Sequence, residues 1–240
     1  MFRKISSFLF ASLLVVAAGV SSRADAPGHS ADAVRVQEPI NIAILIQDDL
    51  ISRVGNELGV TREFIHSLPA GSRVMVAYIT SGSLQVRQPF TSDLNVAANS
   101  LRIPAGSVSA SPYNPYVEVI DALKKFDASW KGHNAVLLIS DGLDTSRGFD
   151  ATTAGHTLDI DRTISQANRR NVAIFSFYAP SVGLTSHSFL ASSYGQSSLN
   201  RVSDETGGKA FFQGTTGFVT FDSYFSRLTR ELNRVYATAS

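Results

Sequence analysis

Two apolar runs that each end in carboxylates constrain the fold of this chain most. The first run, residues 40–46, is followed by Asp48 and Asp49, and the second, residues 135–139, is followed by Asp141. Continuous apolar runs of this length are typical of strands buried on both faces of a parallel sheet. Ligands of open α/β sheets bind at the carboxyl ends of the strands. The pattern therefore predicts one site at this edge, and its oxygen atoms suit a hard cation such as Mg²⁺ or Ca²⁺.

Strand and helix patterns alternate along the rest of the chain, in the order β-α-β-β-α-α-β-α-β-α-β-α. This order predicts an α/β fold with a doubly wound, mostly parallel central sheet, one antiparallel edge hairpin and helices on both faces. The predicted strands are 40–47, 73–79, 84–87, 134–140, 172–177 and 209–212. The predicted helices are 54–67, 94–101, 116–126, 159–170, 198–206 and 222–236, and 182–197 is predicted to be a loop.

The amino-terminal residues indicate an exported protein. Arg3 and Lys4 form a basic start, an apolar stretch follows, and small residues precede a candidate cleavage site after Ala24. We therefore expect a signal peptide at 1–24, a flexible leader at 25–38 and one folded domain at 39–237, in a secreted or periplasmic protein. An uncleaved membrane anchor is the alternative interpretation. Apart from the signal peptide, no contact with a membrane is expected.

Composition and missing motifs exclude several functions. Cleavage after residue 24 would remove three basic residues and no acidic one, so the formal charge falls from +1 to −2 and does not favour nucleic acid. The chain has no cysteine, which excludes disulfides and thiolate chemistry. The five histidines show no zinc-ligand spacing, and neither a Gly-x-Ser-x-Gly sequence nor a phosphate-binding loop is present. We therefore predict no catalytic residues and a protein that is not an enzyme.

The order of elements, with an Asp loop after the first strand and Ser-Asp-Gly after a central strand, resembles the von Willebrand factor type A (VWA) domain. The resemblance covers about residues 38–237 and is nearest to a divergent branch of secreted bacterial proteins. In the wider family a metal-ion-dependent adhesion site, with the motif Asp-x-Ser-x-Ser, a Thr in a second loop and an Asp before Gly in a third, lies at this edge.

The adhesion-site motif is only partly kept in this chain. Asp48, Ser52 and Asp141 fall on motif positions, so the resemblance implies that these three bind Mg²⁺, Mn²⁺ or Ca²⁺. Leu50 stands where the motif has its first Ser, and Val117 stands near the position of the Thr. The site is therefore a degenerate one. Asp49 and Asp144 are expected either to assist the cation or to cap turns.

These observations together favour an exported, VWA-like module that binds an unknown protein partner. The expected contact loops are 47–53, 104–116, 141–157 and 180–197, either around a cation or without metal. Aromatic residues flank these loops and are either binding residues or packing residues: Tyr113, Tyr116, Tyr178, Phe189 and Tyr194. The alternatives are a metal-dependent hydrolase that uses Asp48 and Asp141, and a metal-free scaffold whose site has decayed.

Overall fold

The computed structural model describes residues 36–130, 132–148, 157–214 and 220–237, which are organised around a six-stranded sheet. Its strands are β1 (Ile40–Gln47), β2 (Arg73–Thr80), β3 (Ser83–Thr91), β4 (His133–Ser140), β5 (Val172–Tyr178) and β6 (Ala210–Phe211). They lie in the order β3-β2-β1-β4-β5-β6, and only the β2–β3 pair is antiparallel. The predicted fold class is therefore confirmed.

Helices cover both faces of the sheet. They are α1 (Leu58–Ser67), α2 (Leu94–Asn99), α3 (Pro115–Leu123), α4 (Leu158–Arg169), α5 (Phe189–Asp204) and α6 (Asp222–Ala237). The apolar residues of α1, α2 and α6 form one core with one face, and those of α3, α4 and α5 form a second core with the other. Along β1, Ile42 and Ile44 belong to the first core and Ala43 and Leu45 to the second, as the two-residue period of a strand requires.

The position of β1 in the sheet decides where a site can form. The chain lays β2 on one side of β1 and β4 on the other, so the loops that follow β1 and β4 leave in opposite directions. A crevice at the carboxyl ends of the strands is the usual consequence of such a switch point. Asp48 and Asp49 follow β1, and Asp141 follows β4, so all three lie at the carboxyl edge of the sheet.

The helix predicted over 198–206 is present, but the prediction of a loop over all of 182–197 was wrong, because α5 begins nine residues earlier than predicted and runs from Phe189 to Asp204. The Ser188 side chain caps its start by accepting a hydrogen bond from the backbone N–H of Ala191. The face that α5 buries is made largely of small residues, and Ser and Gly in a sequence indicate turns more than a helix. Other differences are smaller: the predicted helix 54–67 begins as a 3₁₀ segment, Ser52–Glu57, and β3 extends to Thr91.

The predicted signal peptide at 1–24 and most of the leader at 25–38 lie outside the described residues. The last leader residues do make contacts, because Val36 is buried in the first core and the backbone N–H of Gln37 donates to the Oδ1 atom of Asn233. All described residues belong to one compact unit, Ala33–Ser240. Within the described ranges, no helix is long and apolar enough to cross a membrane.

Candidate binding site at the carboxyl edge of the sheet

The loop that follows β1 is tied to two other loops through its backbone. The carbonyl of Asp48 accepts from the N–H of Gly106 at 2.9 Å, and the carbonyl of Asp49 accepts from the N–H of Val182 at 2.9 Å. The N–H of Ile51 donates to the carbonyl of Pro180 at 3.1 Å. These bonds hold together three loops that are far apart in the sequence, and these loops form the surface at the carboxyl edge.

Asp48 is paired with an arginine. The Nη1 atom of Arg102 lies 2.6 Å from Oδ1 of Asp48, and the Nη2 atom lies 2.8 Å from Oδ2. The backbone N–H of Ala105 also donates to Oδ1, at 2.9 Å. Burial alone would raise the pKa of Asp48, but the Arg102 hydrogen bonds, the Ala105 N–H and the Arg102 charge together lower it. Asp48 therefore carries its negative charge against a cation that the chain itself supplies.

Arg102 is held in place by Tyr78 of β2. The Tyr78 hydroxyl donates to the carbonyl of Arg102 at 2.5 Å and accepts from its backbone N–H at 2.7 Å. The guanidinium carbon of Arg102 lies 4.0 Å from the centroid of the Tyr78 ring, which adds a cation–π contact. The arginine is therefore fixed at its backbone, at its charged end and over one of its faces.

Asp49 and Asp141 are linked through Gln47, the last residue of β1. The Nε2 atom of Gln47 donates to Asp49 Oδ1 at 2.7 Å, and its Oε1 atom accepts from the N–H of Asp141 at 3.2 Å and from the Ser140 hydroxyl at 2.5 Å. Asp141 also accepts from the Thr185 hydroxyl at 3.0 Å. One neutral side chain thus fixes the ends of the two central strands and the carboxylates that follow them.

Both of these carboxyl groups are buried and resist ionisation. Burial, followed by the charge of Asp141, raises the pKa of Asp49 to about 6. Burial also raises the pKa of Asp141, against the hydrogen bond from the N–H of Leu143 at 3.1 Å and those of neighbouring side chains. The carboxylate pair at this edge is therefore Asp49 and Asp141, whereas the sequence predicted Asp48 and Asp141.

A pocket of about 180 Å³ opens beside this pair. Its lining comes from the loops after β1, β4 and β5 and from the loop before α3: Gln47, Asp49, Val108, Ser111, Pro112, Tyr113, Asp141, Leu143, Thr145, Ser181, Gly183 and Leu184. Three of its apolar residues are exposed, namely Val108 (66%), Tyr113 (60%) and Leu184 (43%). The pocket therefore combines buried acid groups with an exposed apolar rim.

The predicted cation ligands are only partly brought together. Ser52 is exposed at the start of the 3₁₀ segment and does not line the pocket, whereas Asp141 does. Leu50 is fully buried and forms a backbone bridge with Ser181. A cation held by Asp48, Ser52 and Asp141 would have to displace Arg102 from both oxygens of Asp48, so this donor set does not fit the group that the resemblance implies. In the described ranges, no group of three or more His, Asp or Glu side chains could hold a metal ion.

The other residues singled out in the sequence divide into two groups. Tyr113 and Phe189 are exposed, whereas Tyr116 and Tyr178 are buried and Tyr194 is half-buried. Asp144 caps a turn, because its Oδ1 atom accepts from the N–H and the hydroxyl of Ser146 at 3.0 and 2.7 Å. Sequence reasoning missed Arg102 and gave Asp49 only an assisting role. No local sequence motif indicates the role of Arg102, because its partner Asp48 is 54 residues away in the sequence.

The order of the strands, the switch point and the loop site define a VWA-like α/β fold. The conserved hypothetical protein BatB from Bacteroides thetaiotaomicron has a similar structure, with a TM-score of 0.55 and 12% identity over 84% of this chain and 100% of that chain. An aerotolerance-related membrane protein from Bacteroides fragilis NCTC 9343, carrying multiple mutations to serine, is also similar. Its TM-score is 0.53, with 12% identity over 82% of this chain and 100% of that chain. No protein-family model and no curated protein sequence matches the chain. At 12% identity, these structural similarities show only that the fold is shared.

Proposed function

We propose that the protein is an exported, non-enzymatic binding module that contacts a protein partner through the loops at the carboxyl edge of its sheet. The observation that carries the proposal is the pocket beside Asp49 and Asp141, with Val108, Tyr113 and Leu184 exposed at its rim. Phe189, at the start of α5, adds an aromatic side chain that is 71% exposed. Exposed apolar side chains grouped around a concave site are typical of protein-binding surfaces.

The contact is proposed to work without a divalent cation. In the resembling family, a carboxylate of the partner often completes the coordination of the metal. Here the ion pair between Arg102 and Asp48 joins the loop after β1 to the loop before α3 without a metal. The proposal of export depends on the amino-terminal sequence pattern.

Two features favour a binding module over the alternative of a hydrolase. A volume of about 180 Å³ is below the range of about 300–1,000 Å³ that is usual for small-molecule sites. Among the described residues, the pocket lining contains no His or Lys beside the hydroxyl groups of Ser111, Thr145 and Ser181, so the general-base candidates there are Asp49 and Asp141. One oxygen of Asp49 and both oxygens of Asp141 already accept hydrogen bonds from Gln47, Leu143 and Thr185, which favours recognition over the activation of a hydroxyl group.

Photo-crosslinking in the producing cells tests this function. A photoreactive phenylalanine analogue at position 189 or 108 should give one discrete protein adduct under light. The matched control is the same analogue at His66, which is exposed near the end of α1, at the opposite edge. Adducts from all three positions alike, or from none of them, would contradict a partner at the carboxyl edge.

A further inference from the structure

The two acids of the pocket have no cationic partner in the described part of the chain. Asp48 is neutralised by Arg102, and the remaining ion pairs of the described residues lie elsewhere on the molecule. Asp49 and Asp141 are 2% and 4% exposed and make hydrogen bonds only with neutral groups. Burying a carboxylate without an opposite charge is costly, so a cation that enters the pocket would be strongly favoured there.

The walls of the pocket show what kind of cation fits. Val108, Pro112, Leu143 and Leu184 provide apolar surface beside the acids, and Tyr113 provides an aromatic ring. A hydrated metal ion gains nothing from such walls, and Mg²⁺ in particular keeps several of its waters. An organic cation on an apolar stem can pack its methylene groups there and extend its charged end toward the acids. The volume of about 180 Å³ suits a single side chain.

The hydrogen bonds that Asp49 and Asp141 already accept favour a lysine side chain over an arginine side chain as the ligand. Oδ1 of Asp49 is occupied by Gln47, and both oxygens of Asp141 are occupied, by the N–H of Leu143 and the hydroxyl of Thr185. Arginine binds best when both oxygens of one carboxylate are free to accept its planar fork. An ammonium group is a compact point charge with three rotatable donors, so it can approach two partly occupied carboxylates at once.

We propose that the pocket accepts a lysine side chain of the partner, with its ammonium group between Asp49 and Asp141 and its methylene stem against Val108, Tyr113 and Leu184. This assignment rests on the proposed function, because it names the chemistry by which the same edge recognises its partner.

The backbone of Tyr113 gives this rim residue a special position. Its φ angle is +55°, a conformation that bulky residues rarely adopt. Its carbonyl accepts from the N–H of Thr145 at 2.6 Å and from the Thr145 hydroxyl at 3.2 Å, which holds the strained residue at the mouth of the pocket. The ring is thereby kept at the surface, where a lysine stem or the adjoining backbone of the partner can pack on it.

The test uses ¹⁵N-labelled full-length protein and three small probes: the Nα-acetyl methylamides of lysine, norleucine and arginine. The lysine probe should cause saturable shifts of the Tyr113, Ser181 and Leu184 amide signals. Norleucine, which has a comparable apolar chain without the charge, should bind at least about tenfold more weakly, and arginine should also bind more weakly than lysine. Equal binding of norleucine, tighter binding of arginine, or no saturable shift would overturn the proposal.

Substitutions in the protein test whether the lysine probe binds in this pocket. Asp49→Asn should weaken the lysine probe about tenfold, and Asp121→Asn, on the exposed surface of α3, should leave its affinity unchanged. If Asp49→Asn fails to fold, Leu184→Ala removes part of the stem contact and should weaken binding severalfold. Unchanged affinity in the Asp49 or Leu184 variant, or displacement of lysine by Mg²⁺ that binds more tightly, would refute the lysine site. Crosslinking at Phe189 is independent of these results, so the proposed function can stand when the lysine assignment fails.

Discussion

Arg102 and Asp48 form a two-pronged ion pair across 54 residues of sequence, with N–O distances of 2.6 and 2.8 Å. The pair joins the loop after β1 to the segment that leads to α3. Each oxygen of Asp48 faces one guanidinium nitrogen, so the carboxylate that the VWA resemblance assigns to a metal is already neutralised by the chain. The carboxyl edge can therefore keep its shape without a divalent ion.

Replacing Arg102 by Met should destabilise the protein by about 1–3 kcal/mol, measured by urea unfolding. The substitution leaves the 7% exposed Asp48 side chain with the N–H of Ala105 and no cation. Arg102 is 31% exposed, so water replaces part of the lost interaction and the cost stays below that of a fully buried pair. Arg162→Met, which removes the exposed pair with Asp159, should cost less than about 0.5 kcal/mol. Equal losses in the two variants would show that the Arg102–Asp48 pair does not hold the loops.

Titration with Mg²⁺, Mn²⁺ and Ca²⁺ should show no binding to the wild-type protein up to about 1 mM, and a chelator should leave its melting temperature unchanged. The reason is that a cation must compete with Arg102 for Asp48, while Ser52 lies exposed outside the pocket. Calorimetry on the wild type and on Asp141→Ala checks this expectation. Stoichiometric binding that is lost in the variant would instead support the ligand set of Asp48, Ser52 and Asp141.

Converting Leu50 to the Ser of the family motif should not create a cation site and should destabilise the protein by about 2–5 kcal/mol. Leu50 is fully buried in the first core, so the change removes apolar contacts and leaves a hydroxyl group there. Leu158→Ser, at a residue that is 51% exposed, is the matched control and should change stability by less than about 0.5 kcal/mol. Chemical denaturation measures both, and a Leu50→Ser variant as stable as its control would mean that Leu50 does not contribute to the core.

The mostly parallel sheet could be predicted because its signal is local, whereas the order of its strands comes from the structure. The apolar runs of β1 and β4 indicate strands buried on both faces, and the alternation of strand and helix patterns is typical of a parallel sheet. Asp48, Asp49 and Asp141 were located at the carboxyl edge for the same reason. The apolar runs do not predict the direction in which each carboxylate points. Asp48 meets Arg102, whereas its neighbour Asp49 meets Gln47 and the pocket.

The beginning of α5 could not be predicted because its buried face lacks large apolar residues. Ala191, Ser192, Gly195 and Ser198 are buried at helical spacing, but three of these four residues are Ser or Gly, which are also common in turns. Their small size is what the fold needs at this point. A helix with larger side chains could not approach the loop after β4 as closely as α5 does.

The stability of the protein should depend on pH through Glu118 of α3. Burial, and to a lesser degree the charge of Asp121, raises the pKa of Glu118 from 4.5 to about 7. The folded state then binds more protons than the unfolded state between these two values, so this group lowers the free energy of unfolding as pH rises through the window. Glu118→Gln should therefore be more stable than wild type by about 1–3 kcal/mol at pH 8, and the difference should vanish near pH 4.

Urea unfolding across this pH range gives the free energy of unfolding of the wild type and of Glu118→Gln. Subtracting one from the other at each pH removes the contributions of all other titrating groups. Glu63→Gln serves as the control, because its side chain is exposed on α1, on the opposite face of the sheet from Glu118. Its curve should follow that of the wild type closely. A constant offset between wild type and Glu118→Gln at all pH values would contradict a raised pKa of Glu118.

Gly195→Ala should destabilise the protein by about 1–3 kcal/mol or more, although alanine is the better helix former. A Cβ atom at position 195 would overlap the carbonyl oxygen of Asp141, which is backbone and cannot move without shifting the loop after β4. Gly59→Ala in α1 is the matched control, because nothing lies within 4 Å of its new Cβ atom, and it should stabilise by about 0.5–1 kcal/mol. Thermal unfolding gives both values. Because Gly195 touches the residue that carries the pocket carboxylate, its Ala variant should also weaken the lysine probe, whereas Gly59→Ala should not. Stabilisation by both substitutions would mean that α5 does not position Asp141.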